Sequence, residues 1–468
     1  MKITQVFRAI VIAGVVCLCR TAWAQDAPQI DGEPGYGQFI SNHSVADSLG
    51  DLQKQIEKQN DAISDLKSAM KKKVDPGHSG ATMKVFGRIH ADFWGFPESD
   101  AITDGFEGGN PQDRLGFRRM RFGVSGKLPS NMLYKIEMEF AGGNKTEFRD
   151  AYLGWSDIPF FQKVLLGNQK RPYGLDHLNS SRFNVFLERP FVIESFNQDS
   201  RRFGLVSYGV SECQDWNWRY GVYNTELMQN DGQAINDHLQ LEVAGRLANT
   251  FWYDEASGGR GYGHWAIAGS HAAVDGGSDE TRFLHRPEAR SSNKWLSTGT
   301  IADADNYNLL AFETAMNWGA VQFVAEYQNI WLERDTGDTV RYHGGYMQAS
   351  YFLTGEHMPW DRASGTIGRI KPFEDFFLVN TCDDCVGYGM GAWQVAVRWS
   401  YADFSEVIAV PTAGGTAGVM GESLTVGLNW YWTANARMQF NWIHGAIENA
   451  AGNDGEYDIV GARFMVDF

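Results

Sequence analysis

From Met83 to the C-terminal Phe468, apolar and polar residues alternate with a period of two, the spacing that puts successive side chains on opposite faces of a β-strand. Met132, Tyr134, Ile136, Met138 and Phe140 are separated by Lys135, Glu137 and Glu139 among others. Trp393, Val395, Val397 and Trp399 flank Gln394 and Arg398, while Val321, Phe323, Ala325 and Tyr327 flank Gln322 and Glu326. The last run sets Val460, Ala462, Phe464, Val466 and Phe468 on one face. A soluble sandwich alternates too, but here the oily face is heavy with Trp and Tyr at the strand ends. That is the pattern of a transmembrane barrel, with aromatic girdles outside and a polar lumen. Closure would also satisfy every backbone polar group in lipid. At about 24 residues per strand and connection, the array predicts an all-β, antiparallel transmembrane barrel of about 16 strands. The segments Val274 to Asn306 and Thr354 to Tyr388 are too long and polar for tight turns. Both are expected as outward loops, and either can fold into the lumen.

Ahead of the strands the period is seven. Leu49, Ile56, Ile63 and Met70 fall on one seam and Leu52, Gln59 and Leu66 on the other, which predicts a short coiled-coil helix over 45–73. A lone helix of that length is marginal, so the seam implies self-association. Asp75-Pro76-Gly77 breaks the chain after it. The first 24 residues carry Lys2 and Arg8, an apolar stretch and the small-residue site Ala22-Trp23-Ala24, and read as a secretory signal. Their apolar stretch, Ala9 to Cys19, is far short of the roughly 20 residues a spanning helix needs. The organisation expected is therefore signal 1–24, flexible linker 25–44, coiled coil 45–73, linker 74–82 and barrel 83–468.

Charge excludes one class of partner and singles out one segment. The formal charge of −16 becomes −19 once Lys2, Arg8 and Arg20 leave with the signal, so nucleic acid is not an expected partner. Between Arg114 and Arg202, however, fifteen Lys and Arg stand against nine carboxylates. The cysteines left after the signal, Cys213, Cys382 and Cys385, lie in an oxidising compartment. Cys382 and Cys385 are candidates for a small loop disulfide. A zinc site would want two more thiolates or imidazoles nearby, so no metal is expected, nor any other cofactor.

Several stretches resemble the phosphate-selective porin O/P family of bacterial outer-membrane porins. They are Leu115-Gly-Phe-Arg-Arg-Met-Arg-Phe-Gly-Val-Ser-Gly126, Asp150-Ala-Tyr-Leu153, Leu166-Gly-Asn-Gln-Lys-Arg-Pro-Tyr-Gly-Leu175, Phe186-Leu-Glu-Arg189, Leu353-Thr-Gly-Glu356, Arg398-Trp-Ser400 and Gly427-Leu-Asn-Trp-Tyr431. Their order and spacing run through most of residues 83–468. The resemblance implies a 16-stranded barrel in the outer membrane, a homotrimer, and passive diffusion of small hydrophilic solutes with a preference for anions such as phosphate.

Alternation places Arg119 and Arg121 on the lumen face, opposite Met120, Phe122 and Val124, and Lys135 and Arg398 likewise. With Lys170, Arg171, Arg201 and Arg202 they are the candidate pore-lining and anion-binding residues. Lys170-Arg171 and Arg201-Arg202 fit either a constriction or the barrel rim. All these cations can also be cross-paired with Glu137, Glu139 and Asp150, which would leave only a transverse field. Two rival functions fit the same architecture: a tether to the cell wall through residues 45–73, and a barrel-borne hydrolase. No nucleophile motif stands beside His264, His271, His285, His343 or His357, so no catalytic residue is assigned.

Overall fold

A computed structural model describes residues 80–142, 145–197, 200–228, 239–274, 281–380, 386–406 and 418–468. The signal, the coiled coil and the Cys382–Cys385 pair lie outside the described residues. Among those residues, sixteen long strands form one antiparallel barrel. They are β1 (Lys84–Ser99), β2 (Arg114–Leu128), β3 (Met132–Glu139), β4 (Glu147–Ile158), β5 (Gln162–Lys170), β6 (Arg201–Val210), β7 (Trp216–Asn224) and β8 (Leu241–Tyr253). They continue as β9 (Gly261–Ala273), β10 (Ala304–Trp318), β11 (Val321–Arg334), β12 (Val340–Phe352), β13 (Ala392–Asp403), β14 (Gly418–Tyr431), β15 (Ala436–Asn449) and β16 (Asp454–Asp467). Each strand pairs with the next in sequence, and β1 closes the ring against β16 from Arg88↔Asp467 to Ser99↔Tyr457. Closure leaves no unpaired edge, which is what lipid demands of a sheet. No helix among the described residues is long and apolar enough to cross a membrane, so crossing falls to the strands.

The faces follow the alternation. Val395, Val426, Phe440, Trp442, Val460 and Phe464 are exposed on the outside, while Gln394, Arg398, Thr425, Asn429, Gln439 and Arg463 are buried within. Trp393 stacks on Trp430 at 4.9 Å, and Trp430 packs on Trp432 at 5.3 Å, forming an aromatic belt at one end of the wall. That end carries the short connections 129–131, 159–161, 319–320 and 432–435. Short turns mark the periplasmic side of such barrels and long loops the outside.

Three connections turn inward. Residues 171–197, between β5 and β6, cross the lumen and carry two short helices, α1 (Leu175–Leu178) and α2 (Phe191–Phe196). The connection after β9, described from Thr281, packs against them from the same, loop end, where Phe196 meets Phe283 edge-on at 5.8 Å. The third corrects an expectation. The connection between β12 and β13 was expected outside, but strand parity puts it at the turn end, and its first half enters the lumen from there. Trp360 stacks on Tyr262 at 5.1 Å, and the Ile367 N–H donates to Asn179 Oδ1 of the crossing loop at 3.0 Å. Length and polarity reflect burial inside the barrel here, where a polar lumen accepts such a segment as readily as water does.

Candidate functional site: a cation-lined passage

The crossing loop is bolted to the wall by carboxylates from distant strands. Glu242 on β8 takes Arg171 at 2.9 Å and the Tyr173 hydroxyl. Glu326 on β11 accepts the N–H groups of Leu175 and Asp176 at 2.9 and 2.6 Å, at the start of α1. A Cβ on Gly174 would come within 2.3 Å of Glu326 Oε2, so glycine is what permits this approach. Glu288, from the connection after β9, accepts the Phe191 N–H at 2.8 Å and Arg398 of β13 at 2.8 Å, clamping α2 to the wall. On the far side, Arg437 and Gln439 of β15 donate to the Asn184 carbonyl at 2.7 and 3.2 Å. The loop thereby fills the lumen next to β8–β16 and leaves open space next to β1–β6.

Glu288→Ala should therefore loosen the loop and strand Arg398 without its counter-charge. Breaking one partner of a buried pair costs about 3–5 kcal/mol. The expected outcome is a lower unfolding temperature of the barrel together with noisier single-channel current, and quiet, parent-like current would refute the clamp.

The open space is a cavity of about 410 Å³ between the loop and β1–β6. Thirteen Lys and Arg line it against five carboxylates, Glu137, Glu139, Glu147, Asp150 and Glu194, a surplus of eight positive charges. Burial and Glu188 push the Glu194 carboxyl up, yet Arg118, Arg189 and His285 outweigh them and hold it at about 2, so it stays ionised. A β-bulge raises the density of cations. His90 faces Arg119 and Ala91 faces Phe117, which makes Arg118 the extra residue on β2. Bulges re-aim side chains, and here Arg118, Arg119 and Arg121 all reach the cavity while Phe117 and Phe122 stay outside.

The cations differ in how they are held. Arg121 pairs with Glu139 at 2.6 Å, Arg88 with Glu137 at 2.7 Å, and Lys135 with Asp150. Arg201 bridges Asp150 at 2.5 Å and Glu137 at 3.7 Å. Two stand apart. The Lys170 ammonium donates to three backbone carbonyls, His177 at 2.7 Å, Leu178 at 3.1 Å and Asn179 at 2.9 Å, and to no carboxylate. Arg119 is buried, and neither its Nε nor its Nη1 has a partner among the described residues. Leaving guanidinium N–H groups buried without partners is costly.

Toward the turn end the passage opens into a second space of about 500 Å³, which shares Asp150 and Lys170 with the first. Lys127, Lys163 and Arg219 line it along with those two. Asp150 and Lys170 thus stand where the two spaces meet, with Lys135 and Arg201 bound to the same carboxylate.

Of the residues singled out in the sequence, Arg119, Arg121, Lys135, Lys170 and Arg201 line this passage. Arg171, Arg202 and Arg398 do not. Arg171 is turned to Glu242, Arg202 donates to the Thr225 and Arg201 carbonyls, and Arg398 lies on the far wall with Glu288. Lys170, Arg171, Arg201 and Arg202 lie inside the barrel and not at its rim, because the crossing loop continues directly from β5 into the lumen. Glu188 and Arg189 are not paired with each other; Glu188 holds Arg118 at 2.7 Å and Arg463 at 2.9 Å, while Arg189 holds Asp176 at 2.8 Å. Arg118, Arg286, Arg290 and Lys294 line the passage without having been singled out. Arg118 shifts face only through the bulge, and the other three come from a loop whose inward fold has no periodic signature.

Comparison with known proteins agrees with this architecture. The chain is 25% identical over 403 residues to an uncharacterized protein of Caulobacter vibrioides, an alignment covering 83% of this chain and 74% of that one. Among solved structures it is similar to an anion-selective porin from Comamonas acidovorans, with a TM-score of 0.50 and 14% identity over 82% of this chain and 99% of the other. Pseudomonas putida OprB gives a TM-score of 0.50 and 7% identity, covering 86% and 97%. The model of the phosphate-selective porin O and P family matches residues 83–468. The chain belongs to that family, and is a bacterial outer-membrane porin through which small hydrophilic solutes diffuse passively.

Proposed function

We propose that the passage selects anions, with phosphate the class its family membership suggests, and that Arg119 is the point where an anion is held in transit, with the Lys170 ammonium adding its charge to the field. The observation that carries this is the surplus of eight cations around the 410 Å³ cavity. Cross-pairing accounts for Arg121, Lys135 and Arg201, but not for Arg119 or Lys170. Low-dielectric walls focus the field of such charges along the path. The test is the reversal potential of purified protein in a planar bilayer under a potassium chloride gradient. Anion preference is expected, with the chloride current reduced when phosphate competes for the passage; cation preference, or a folded barrel with no ion steps, would overturn the reading.

A homotrimer is the assembly we infer. Strands β3, β5 and β7 have 8, 9 and 9 residues. Tilted about 40°, such strands rise about 21–24 Å, short of the roughly 25 Å apolar band. Strands β9–β16 have 12 to 15 residues and clear it. Burying the short wall against other copies removes the mismatch, and the predicted coiled coil would add only about three heptads. Removal of residues 25–80 should therefore leave a heat-modifiable trimer on a gel, and recovery of monomer alone would rule out barrel-driven assembly. The same variant separates the porin from a cell-wall tether, since a porin keeps its conductance.

A further inference from the structure

The connection between β12 and β13 does two things in one stretch. Its first half enters the lumen, and at Arg369, which pairs with Asp467 at the end of β16, it returns to the turn-end rim. Its second half then lies on the outside of the barrel. The Phe376 N–H donates to the Trp432 carbonyl at 2.6 Å, and the Phe376 ring sits edge-on to Trp430 at 4.6 Å and against Trp432 at 5.7 Å. A small hairpin follows, pairing Phe377–Asn380 with Val386–Gly389. After it, the Met390 carbonyl accepts the indole N–H of both Trp430, at 2.9 Å, and Trp393, at 3.3 Å. The arm is thus docked on the aromatic belt itself.

Three of its apolar side chains remain largely uncovered. Phe377 is 56% exposed, Tyr388 80% and Met390 69%, and the rings of Phe377 and Tyr388 face each other at 6.1 Å. Glu374 and Asp375, just before the hairpin, are exposed as well. Large apolar groups set free at a rim, continuous with belt tryptophans and flanked by charges, have the polarity profile of the headgroup and acyl boundary of a bilayer. Water is a poor surrounding for such a patch. The belt fixes the level: Trp393, Trp430 and Trp432 mark the interface on the turn side.

We propose that the arm carrying Phe377, Tyr388 and Met390 is an interfacial anchor whose partner is phospholipid of the periplasmic leaflet. Phe377, Tyr388 and Met390 enter the headgroup–acyl boundary and Glu374 and Asp375 stay in the aqueous layer. The anchor fixes the outer half of a connection whose inner half touches the crossing loop at Asn179, and it does so whichever solute passes. Strands β13 and β14, on which the arm rests, lie across the barrel from the short wall of β3, β5 and β7, so the anchor faces lipid when the short wall is covered.

The test uses the full-length porin in its native membrane. The photoreactive p-benzoylphenylalanine is placed singly at Phe377 and at Tyr388, with the lipid-facing Phe440 as the positive reference and Ala363, on the lumenal half of the same connection, as the negative one. After irradiation, phospholipid labelled with ³²P is followed on the protein band. Adducts at Phe377 and Tyr388 within about threefold of that at Phe440, with none at Ala363, are expected for groups at the interface. Labelling at Phe440 without labelling at Phe377 or Tyr388 would overturn the proposal. So would cross-linking of Phe377 or Tyr388 to a second porin chain, which would assign the arm to a protein contact. Two positions guard against a single replacement disturbing the hairpin.

Discussion

Arg119→Glu is expected to move the ion preference of the channel toward cations more than any other single replacement. The side chain is buried on the passage wall, has no ion pair among the described residues, and leaves Nε and Nη1 without partners among them, so removing it breaks no ion pair or hydrogen bond of those atoms. A unit charge about 6 Å from the ion path is worth about 0.7 kcal/mol even at the dielectric constant of water. Exchanging +1 for −1 moves the anion up and the cation down by about 1.4 kcal/mol each, so their balance changes by about 2.8 kcal/mol, or about a hundredfold in anion-to-cation permeability. The new carboxylate sits near Arg118, Arg121 and Arg463, which outnumber the nearby Glu188, so folding should survive. Reversal potentials should shift more in dilute than in concentrated salt, because at 0.15 M the Debye length is about 8 Å and shrinks as salt rises. Arg171→Gln is the contrasting case. Its partner Glu242 would be left buried and uncompensated, so that variant should lose stability while keeping the parent's ion preference. A parental reversal potential in Arg119→Glu would place the selecting charges elsewhere.

That contrast shows where the sequence is legible and where it stops. The faces of the strands are readable because period two is a local property. Trp393, Val395 and Val397 point outward and Gln394 and Arg398 inward, as alternation requires. The excess of Lys and Arg between Arg114 and Arg202 is readable too, and β2–β6 carry much of the passage wall. Facing inward, however, is not the same as facing the passage. Arg398 and Arg171 both lie inside the barrel, yet each is consumed by a carboxylate, Glu288 or Glu242, that is 110 or 71 residues away in sequence. Such pairings are set by how loops fold into the lumen, and loops carry no periodicity to announce it. The bulge at Arg118 is equally silent, since one unpaired residue shifts a face without altering composition. The side on which the Thr354–Tyr388 connection emerges depends on strand parity, a count over the whole chain, and composition alone misassigned it.

The crossing loop is what narrows a wide barrel and, on the proposed reading, makes it selective, and cutting it out should show this directly. Arg171 and Ser200 already face each other, with the Arg171 N–H donating to the Ser200 carbonyl at 3.3 Å, and Lys170 pairs with Arg201 below them. A two-residue Asn-Gly turn can therefore join Arg171 to Ser200 as a tight hairpin, replacing residues 172–199. In a soluble core such a deletion would leave Glu326, Glu288 and Arg463 buried without their loop partners. In a 16-stranded barrel the emptied lumen fills with water, so those groups become hydrated instead of stranded. The wall itself rests on a closed ladder of backbone hydrogen bonds that does not pass through the loop. Apolar loop residues leave little unfilled behind them, since Phe186 is seated over Gly427 and Leu187 over Gly461, positions without side chains. The expected variant is folded and heat-modifiable, with single-channel conductance raised several-fold and ion preference pulled toward neutrality, because a wider, wetter lumen screens the cations of β1–β6. A folded deletion variant with the parent's conductance would mean that the narrowest point lies elsewhere, with the lumenal half of the β12–β13 connection as the structure that sets it.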